Sequence, residues 1–284
     1  MRTLIVGASG HLGSEVARLA SATGAEVHGT STSGADGWSR LDITDRAAVH
    51  ALVSRVRPEL VVNTAYRADS WTICADGAAH VALAAVAAGA RLVHVSTDAV
   101  HGGRPEPYLD DESPTPVYRY GAAKAAAETA VAAIDPGAAV VRTSLIVGDD
   151  RSKQVRLALD LATGRSRGAL FTDEYRRPID ATDLAAAILE LAARGYAGLI
   201  NVAGPQTLSR AELGRLVAAR HGLDRATVPV CTTAEAGLGP RPGALLLDSS
   251  RAAGLLKTPL RPVEEALADL GGGQQRQHRR SGPL

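Results

Sequence analysis

Thr3-Leu4-Ile5-Val6-Gly7-Ala8-Ser9-Gly10-His11-Leu12-Gly13 is the stretch whose reading decides the fold. Thr3–Val6 is a short apolar run of strand length, and an Ala-rich helical pattern follows from about Leu12 to Ala22. A GxxGxxG string alone is weak, since glycine is common in loops; here it stands between a strand and a helix, which gives each glycine a task. Gly7 permits a tight turn, Gly10 lets the backbone approach a pyrophosphate, and Gly13 lets the helix pack against the strand. The helix N-terminus then offers free N–H donors and a partial positive charge to an anion. Ser9, His11 and Leu12 complete the loop and count with the glycines as candidate contacts.

Outward from this loop, apolar strands alternate with helical patterns. Strands are expected near Glu26–Thr30, Leu60–Thr64, Arg91–Ser96 and Ala139–Leu145. Helices are expected at Ala47–Arg55 (with Thr44 as N-cap), Ala78–Ala88 and Tyr120–Ala133. Continuous rather than alternating hydrophobicity in the strands means burial on both faces, as in a parallel sheet covered by helices. The expected fold is α/β, a doubly wound parallel sheet of Rossmann type over residues 1–148. After Gly148 the rhythm changes to helices at Gln154–Ala162, Thr182–Ala193 and Ser209–His221, with short strands such as Leu199–Val202. Residues 149–270 are expected to form a smaller, partly interleaved substrate lobe. The stretch 271–284, GGGQQRQHRRSGPL, has no apolar run and is expected to be disordered.

Composition narrows the function. The 284 residues are 45% apolar and 21% charged, and 31 basic against 30 acidic side chains leave +1. That removes the bulk electrostatic argument for a nucleic-acid partner. The most apolar stretch, Gly77–Ala90, is mostly Ala and carries His80, too weak for a membrane span. The start reads as a buried strand rather than a signal peptide, so a cytoplasmic protein is expected. Cys74 and Cys231 are isolated, and no Cys/His or carboxylate cluster has metal-ligand spacing, so no metal is expected.

The second strand bears on the choice of dinucleotide. A carboxylate at its end would select NAD by binding the ribose 2′-hydroxyl. Val27–Ser33 instead carries hydroxyls, so Thr30 and Ser31 are candidate contacts for a 2′-phosphate, with Arg40 as its cation. NADPH is the expected cofactor, with NADH left open. Asp42 is assigned to the adenine side or to the helix start, and Ala65, after the fourth strand, to the cofactor.

Tyr120-Gly-Ala-Ala-Lys124 places a phenol and one of only three lysines four residues apart on a helix face. A cation about 5 Å from a phenol, at an effective dielectric of ~20, contributes roughly 3 kcal/mol, some two pKa units toward the phenolate. Tyr120 is therefore the candidate acid and Lys124 the group that tunes it. Val93-His-Val-Ser96-Thr97 ends where an open α/β sheet presents ligands, so Thr97 is the candidate to orient a carbonyl. Asp98 beside it caps the loop or meets substrate.

These features resemble the extended short-chain dehydrogenase/reductase superfamily, and within it the group of dTDP-4-dehydrorhamnose reductases and related sugar-nucleotide 4-ketoreductases. The resemblance runs to about Leu270. It rests on GASGHLG, LDITD, VVNTAY, HVSTDAVHGG, YGAAKAAAE and VRTSLIVG, then on RRPIDATDLAAAILELA, NVAG, SRAELGRLVA and GPRPGALLLDSSRAAGLL. It implies Thr97, Tyr120 and Lys124 as a catalytic set, with Lys124 also holding the nicotinamide ribose, NADPH as reductant, and a nucleotide-sugar substrate reduced at its 4-keto carbon. A nucleotide diphosphate needs cations, and Arg176, Arg177 and Arg241 are the candidates, with Arg151, Lys153 and Arg156 behind them. The chain departs from the group in the short segment YRADSWTICADG, where Cys74 replaces an expected Asn, and in Ala99 and His101 after Asp98. Two rival readings stay open: a nucleotide-binding regulatory subunit without turnover, and an epimerase or dehydratase. Against the latter, dehydratases carry an acidic pair beside the Thr, where this chain has Asp98-Ala99. The Ala-rich helices suit a homodimer interface or tight packing on the sheet equally well.

Overall fold

The computed structural model describes residues 1–34, 37–239 and 241–268; the tail at 271–284 lies outside the described residues. Strands β1 (Arg2–Val6), β2 (Glu26–Ser31), β3 (Ser39–Arg40), β4 (Leu60–Asn63), β5 (Arg91–Thr97) and β6 (Ala139–Thr143) belong to one sheet. The short strands β7 (Ile146–Val147), β8 (Leu170–Phe171), β9 (Tyr175–Arg176) and β10 (Ile179–Asp180) leave it. Strand β11 (Gly198–Asn201) then returns to the sheet, before β12 (Leu208–Ser209), β13 (Val230–Cys231) and β14 (Ala244–Leu245). The sheet order is β11-β6-β5-β4-β1-β2-β3, and every adjacent pair is parallel. Connectivity reverses between β1 and β4, and the carboxyl ends of strands diverge there to leave a crevice.

The helices are α1 (His11–Ala22), α2 (Arg46–Val56), α3 (Trp71–Cys74), α4 (Asp76–Ala87), α5 (Arg119–Ile134), α6 (Lys153–Ala162), α7 (Ala181–Arg194), α8 (Arg210–Arg220) and α9 (Ser250–Leu255). Alternate residues of each strand serve opposite faces. Ile5, Val62, Val93 and Val141 pack with Leu12 and Val16 of α1 and Leu184 and Ile188 of α7. Leu4, Val61, Leu92 and Val140 meet α2, α4 and α5 through Val49, Val53, Val81 and Val131. Both faces are dry, which is why the strands read as unbroken apolar runs. Alanines such as Ala78, Ala82 and Ala85 of α4 and Ala127 of α5 face this core and let the helices approach closely. The interleaving is concrete: α7 packs on α1, and β11 extends the sheet past β6. The smaller lobe holds its own cluster, built on Val155, Leu161, Leu170, Leu213 and Val217.

One local expectation is corrected. Asp45, not Thr44, caps α2, its carboxylate accepting from the Ala48 N–H at 3.0 Å, while Thr44 donates through N–H and hydroxyl to Asp42. Both residue types cap helices, but the carboxylate lies three residues before the N–H it satisfies.

A buried polar clamp ties the segment before α5 to the sheet. Arg142 on β6 is 0% exposed, pairs with Glu128 of α5 at 2.7 Å, and donates to the carbonyls of Asp110 and Glu112. Ser96 donates to the same Glu128, and the Asp110 carboxylate accepts from the backbone of Asn201. Loop, helix and three strands are thereby locked together at the end of the sheet from which Thr97 and Tyr120 project.

Candidate active site

A cleft of about 730 Å³ opens over the carboxyl ends of β1, β4 and β5 and continues beneath the smaller lobe. The glycine loop forms its floor. Gly7 has φ +88°, which a side chain would strain, and a β-carbon on Gly13 would lie 2.2 Å from the Gly7 carbonyl oxygen and 2.8 Å from Thr64 Oγ1. Gly10 is the N-cap of α1 and offers no capping side chain, so that end of the helix faces the cleft as backbone. A cradle that side chains would fill fits a dinucleotide pyrophosphate. Ser9, His11, Leu12, Ala65 and Asp42 also line the cleft. The His11 ring lies 3.3 Å from the Val147 carbonyl and 3.6 Å from Asp149. Arg151, at the mouth, donates to Ser14 in the first turn of α1 and pairs with Asp149. Asp42 is held below its ordinary carboxyl range by the Thr44 N–H and hydroxyl.

At the far end of β2, Thr30 accepts from the Gly7 N–H at 3.3 Å and Ser31 from the Gly34 N–H at 2.9 Å. Both line the cleft, as Thr32 does. Arg40 does not. It is exposed on the edge strand β3, its β-carbon against Gly34, because the two-residue strand carries it past the cleft.

The three residues expected to carry chemistry all line the cleft. Thr97 ends β5; its hydroxyl accepts from the Ala99 N–H and donates to Asp98, each at 3.2 Å. Asp98 also accepts from Ser144 at 2.7 Å and faces Arg176 at 3.8 Å; burial raises its carboxyl despite those partners. Thr97, rather than Asp98, supplies the side-chain cap of the turn Asp98–Val100. Tyr120 stands in the first turn of α5, its ring 6.2 Å from that of Tyr66 and tilted by 53°. Gly121 is obligatory behind it, since a β-carbon there would lie 2.0 Å from the Ala99 carbonyl oxygen.

The expected tuning of the phenol is corrected. In the protein without cofactor, burial raises the Tyr120 phenol above its ordinary value, Tyr66 and Cys74 add to the rise, and Thr97 opposes it. Lys124 is not among the groups that move it most. Its nitrogen is drawn under β5, donating to the Val95 carbonyl at 2.6 Å and standing 3.1 Å from His94 Nε2. Burial lowers the lysine to about 8, with Cys74 and Glu128 pulling the other way. The i,i+4 spacing placed both residues on one face, but the Val95 backbone carbonyl at the sheet claims the amine.

The opposite end of the cleft is cationic. Arg176, Arg210 and Arg241 line it with Glu174 and Asp98, three positive groups against two carboxylates. Arg241 donates to Glu174 at 2.5 Å, and Arg176 lies 3.8 Å from it. Arg210 escaped the sequence reading; burial, then the Arg176 charge, pull it below the arginine range. The signal was available: Ser209 and Glu212 form a capping box, which fixes Arg210 as the first residue of α8. Arg177 is corrected. It lies just past the end of β9, where the chain turns it from the cleft, and it donates to the Leu247 carbonyl at 2.8 Å and lines a separate cavity with Lys257. Lys153 sits over the Tyr66 ring at 4.9 Å, and it, Gln154 and Arg156 close the side of the cleft.

Among the described residues no group of three or more His, Cys, Asp or Glu could hold a metal ion, and no helix is long and apolar enough to cross a membrane.

Residues 1–272 match the family described as the RmlD substrate binding domain. A dTDP-4-dehydrorhamnose reductase of Mycobacterium tuberculosis (strain CDC 1551 / Oshkosh) is 33% identical over 94% of this chain and 91% of its own. A dTDP-4-keto-6-deoxy-D-glucose reductase of Streptomyces niveus is 32% identical over 94% and 95%. Among solved structures, the dTDP-4-dehydrorhamnose reductase of Bacillus anthracis str. Ames in complex with NADP superposes with a TM-score of 0.83 at 27% identity, covering 94% of this chain and 97% of that one.

Proposed function

The chain belongs to the RmlD substrate binding domain family, and from that membership and the cleft we propose an NADPH-dependent reductase of a nucleotide-activated 4-keto-sugar, of the dTDP-4-dehydrorhamnose type. The observation that carries the reading is one continuous cleft. It is lined by the phosphate cradle at Gly7–Gly13, by Thr97 and Tyr120, and by the arginines Arg176, Arg210 and Arg241. A cradle of backbone N–H groups suits a dinucleotide, and the arginines suit a diphosphate-linked sugar.

The glycine loop, Thr30 and Ser31 would hold the dinucleotide, which would supply the hydride. Thr97 turns its hydroxyl from Asp98 to the substrate carbonyl oxygen, and Tyr120 gives that oxygen its proton. Lys124 is the one buried amine near them and sets the charge beside the phenol once ligands fill the cleft. Arg176, Arg210 and Arg241 take the diphosphate, to which a guanidinium forks well. The hydroxyls of β2, with no carboxylate among them, favour NADPH over NADH.

The test is thermal-shift titration with NADPH, NADH and a panel of nucleotide sugars, followed by NADPH oxidation with a dTDP-4-keto-6-deoxy sugar. Ligands that bind the folded state raise its stability. The expected result is stabilisation by NADPH above NADH, stabilisation by dTDP-sugars, and consumption of NADPH. Stabilisation by NADPH with no response to any nucleotide sugar would favour a binding subunit instead.

A further inference from the structure

Beside the Arg142–Glu128–Ser96 clamp, the face of the sheet beneath α5 carries a second line of buried polar side chains. Asn63 and His94 are register partners on β4 and β5, each 1% exposed, and Lys124 of α5, 2% exposed, closes the line. Asn63 Nδ2 lies 3.2 Å from His94 Nδ1, and His94 Nε2 lies 3.1 Å from Lys124 Nζ. Three polar groups in a dry layer are costly unless each hydrogen bond has a donor and an acceptor.

The order of donors follows from one end. The Ala65 N–H donates to Asn63 Oδ1 at 3.2 Å, which fixes the amide with its nitrogen toward the imidazole. An amide nitrogen only donates, so His94 Nδ1 accepts and carries no proton. A ring without a proton on Nδ1 is neutral and carries its single proton on Nε2, in keeping with the burial that pushes this imidazole far below its ordinary value. Nε2–H points at Lys124 Nζ, and an amine accepts only when it is neutral. Its own hydrogens remain free for the Val95 carbonyl. A charged ammonium would put two donors face to face. It is accommodated only if the ring proton moves to Nδ1 and the Asn63 amide turns over, breaking the Ala65 bond.

We propose that Asn63 and His94 are positioning residues that hold the Lys124 side chain under β5 and, through this fixed donor order, disfavour a charge on its nitrogen until ligands occupy the cleft. The proposal rests on the reductase reading for its kinetic consequence, but not for its tautomer. The other groups that face Lys124 are Cys74 of α3 and Glu128 of α5, and Glu128 is already paired with Arg142 and Ser96. Neither competes for Nζ through a hydrogen bond among those of the described residues.

Two measurements test it. Nitrogen NMR of histidine-labelled protein, with His94 assigned from His94→Gln, reads the tautomer directly in the protein without cofactor. An Nε2–H ring is expected; an Nδ1–H ring overturns the proposal whether or not the protein is a reductase. The second uses Asn63→Asp, which keeps an acceptor for Ala65 but presents an acceptor to Nδ1, so that Nε2 can accept from an ammonium. The basic limb of kcat/KM for NADPH-dependent reduction is expected to move up by about one pH unit or more. A uniform loss at every pH with the limb unmoved would show a merely structural residue and overturn the tuning role. If Asn63→Asp does not fold, the tautomer measurement decides alone.

Discussion

Alanine at position 13 should cost cofactor affinity far more than alanine at position 10. A β-carbon on Gly13 would stand 2.2 Å from the Gly7 carbonyl, where ordinary contact begins at 3.4 Å, so loop and helix must part by about 3.4 − 2.2 = 1.2 Å. Both obstructing neighbours are held: Gly7 by its turn, and Thr64 by donating to the Val6 carbonyl at 2.9 Å. On Gly10 the same β-carbon would lie 3.3 Å from the Gly7 oxygen and needs only a few tenths of an ångström. A shift of an ångström spoils N–H bonds to a phosphate, each worth about 1.5–3 kcal/mol with a charged partner. Loss of one or two of them raises the NADPH Kd roughly 10²-fold in Gly13→Ala. Less than tenfold is expected for Gly10→Ala. Calorimetric titration of both variants, with circular dichroism to show that each is folded, measures this. A Gly13→Ala protein that binds NADPH within threefold of the parent would refute the cradle.

The clamp gives a stability prediction: Glu128→Ala leaves a fully buried Arg142 without its carboxylate and should cost about 3–5 kcal/mol in urea unfolding. In the substrate lobe, Arg210→Ala should raise KM for the nucleotide sugar at least tenfold with the NADPH Kd unchanged, whereas Arg177→Ala, facing away, should leave both alone. Glu190 provides an acid-stability test. Burial would raise its carboxyl, but bonds from the Lys257 and Thr258 N–H groups and the Thr258 hydroxyl outweigh that and lower it to about 2. A depressed carboxyl stabilises the fold above its unfolded value, and the contribution drains away as pH falls from about 4.5 toward 2. Glu190→Gln should therefore be less stable than the parent at pH 7, by roughly 1–2 kcal/mol, with the difference shrinking across that window.

How much of this is legible in the sequence depends on what each residue answers to. The run Leu60–Asn63 and the loop Gly7–Gly13 are dictated by burial on both faces and by backbone clearance, and both leave a periodic mark in the chain. The strand order, and which elements return to the first layer, leave no such mark: the chain showed a partly interleaved second lobe but not that α7 and β11 are the parts that return. The arginines are different. Arg176 and Arg177 are chemically equal in the sequence, and the end of β9 falls between them, leaving one in the cleft and the other outside it. Arg40 failed for the same reason, since its strand is too short to show periodicity. The Tyr120–Lys124 spacing correctly shared a helix face, yet spacing says nothing about a carbonyl on β5 that competes for the amine. His94 reads as one polar residue in an apolar strand, and its role needed the partner strand's Asn63 beside it.

Everything chemical in the account passes through one phenol. Tyr120→Phe keeps the ring that packs near Tyr66 and removes only the hydroxyl, so steady-state reduction of a dTDP-4-keto-6-deoxy sugar by this variant, beside its NADPH Kd, is the most direct measurement. The account predicts an unchanged Kd and a kcat lowered by about 10² to 10⁴. A kcat within fivefold of the parent would contradict it.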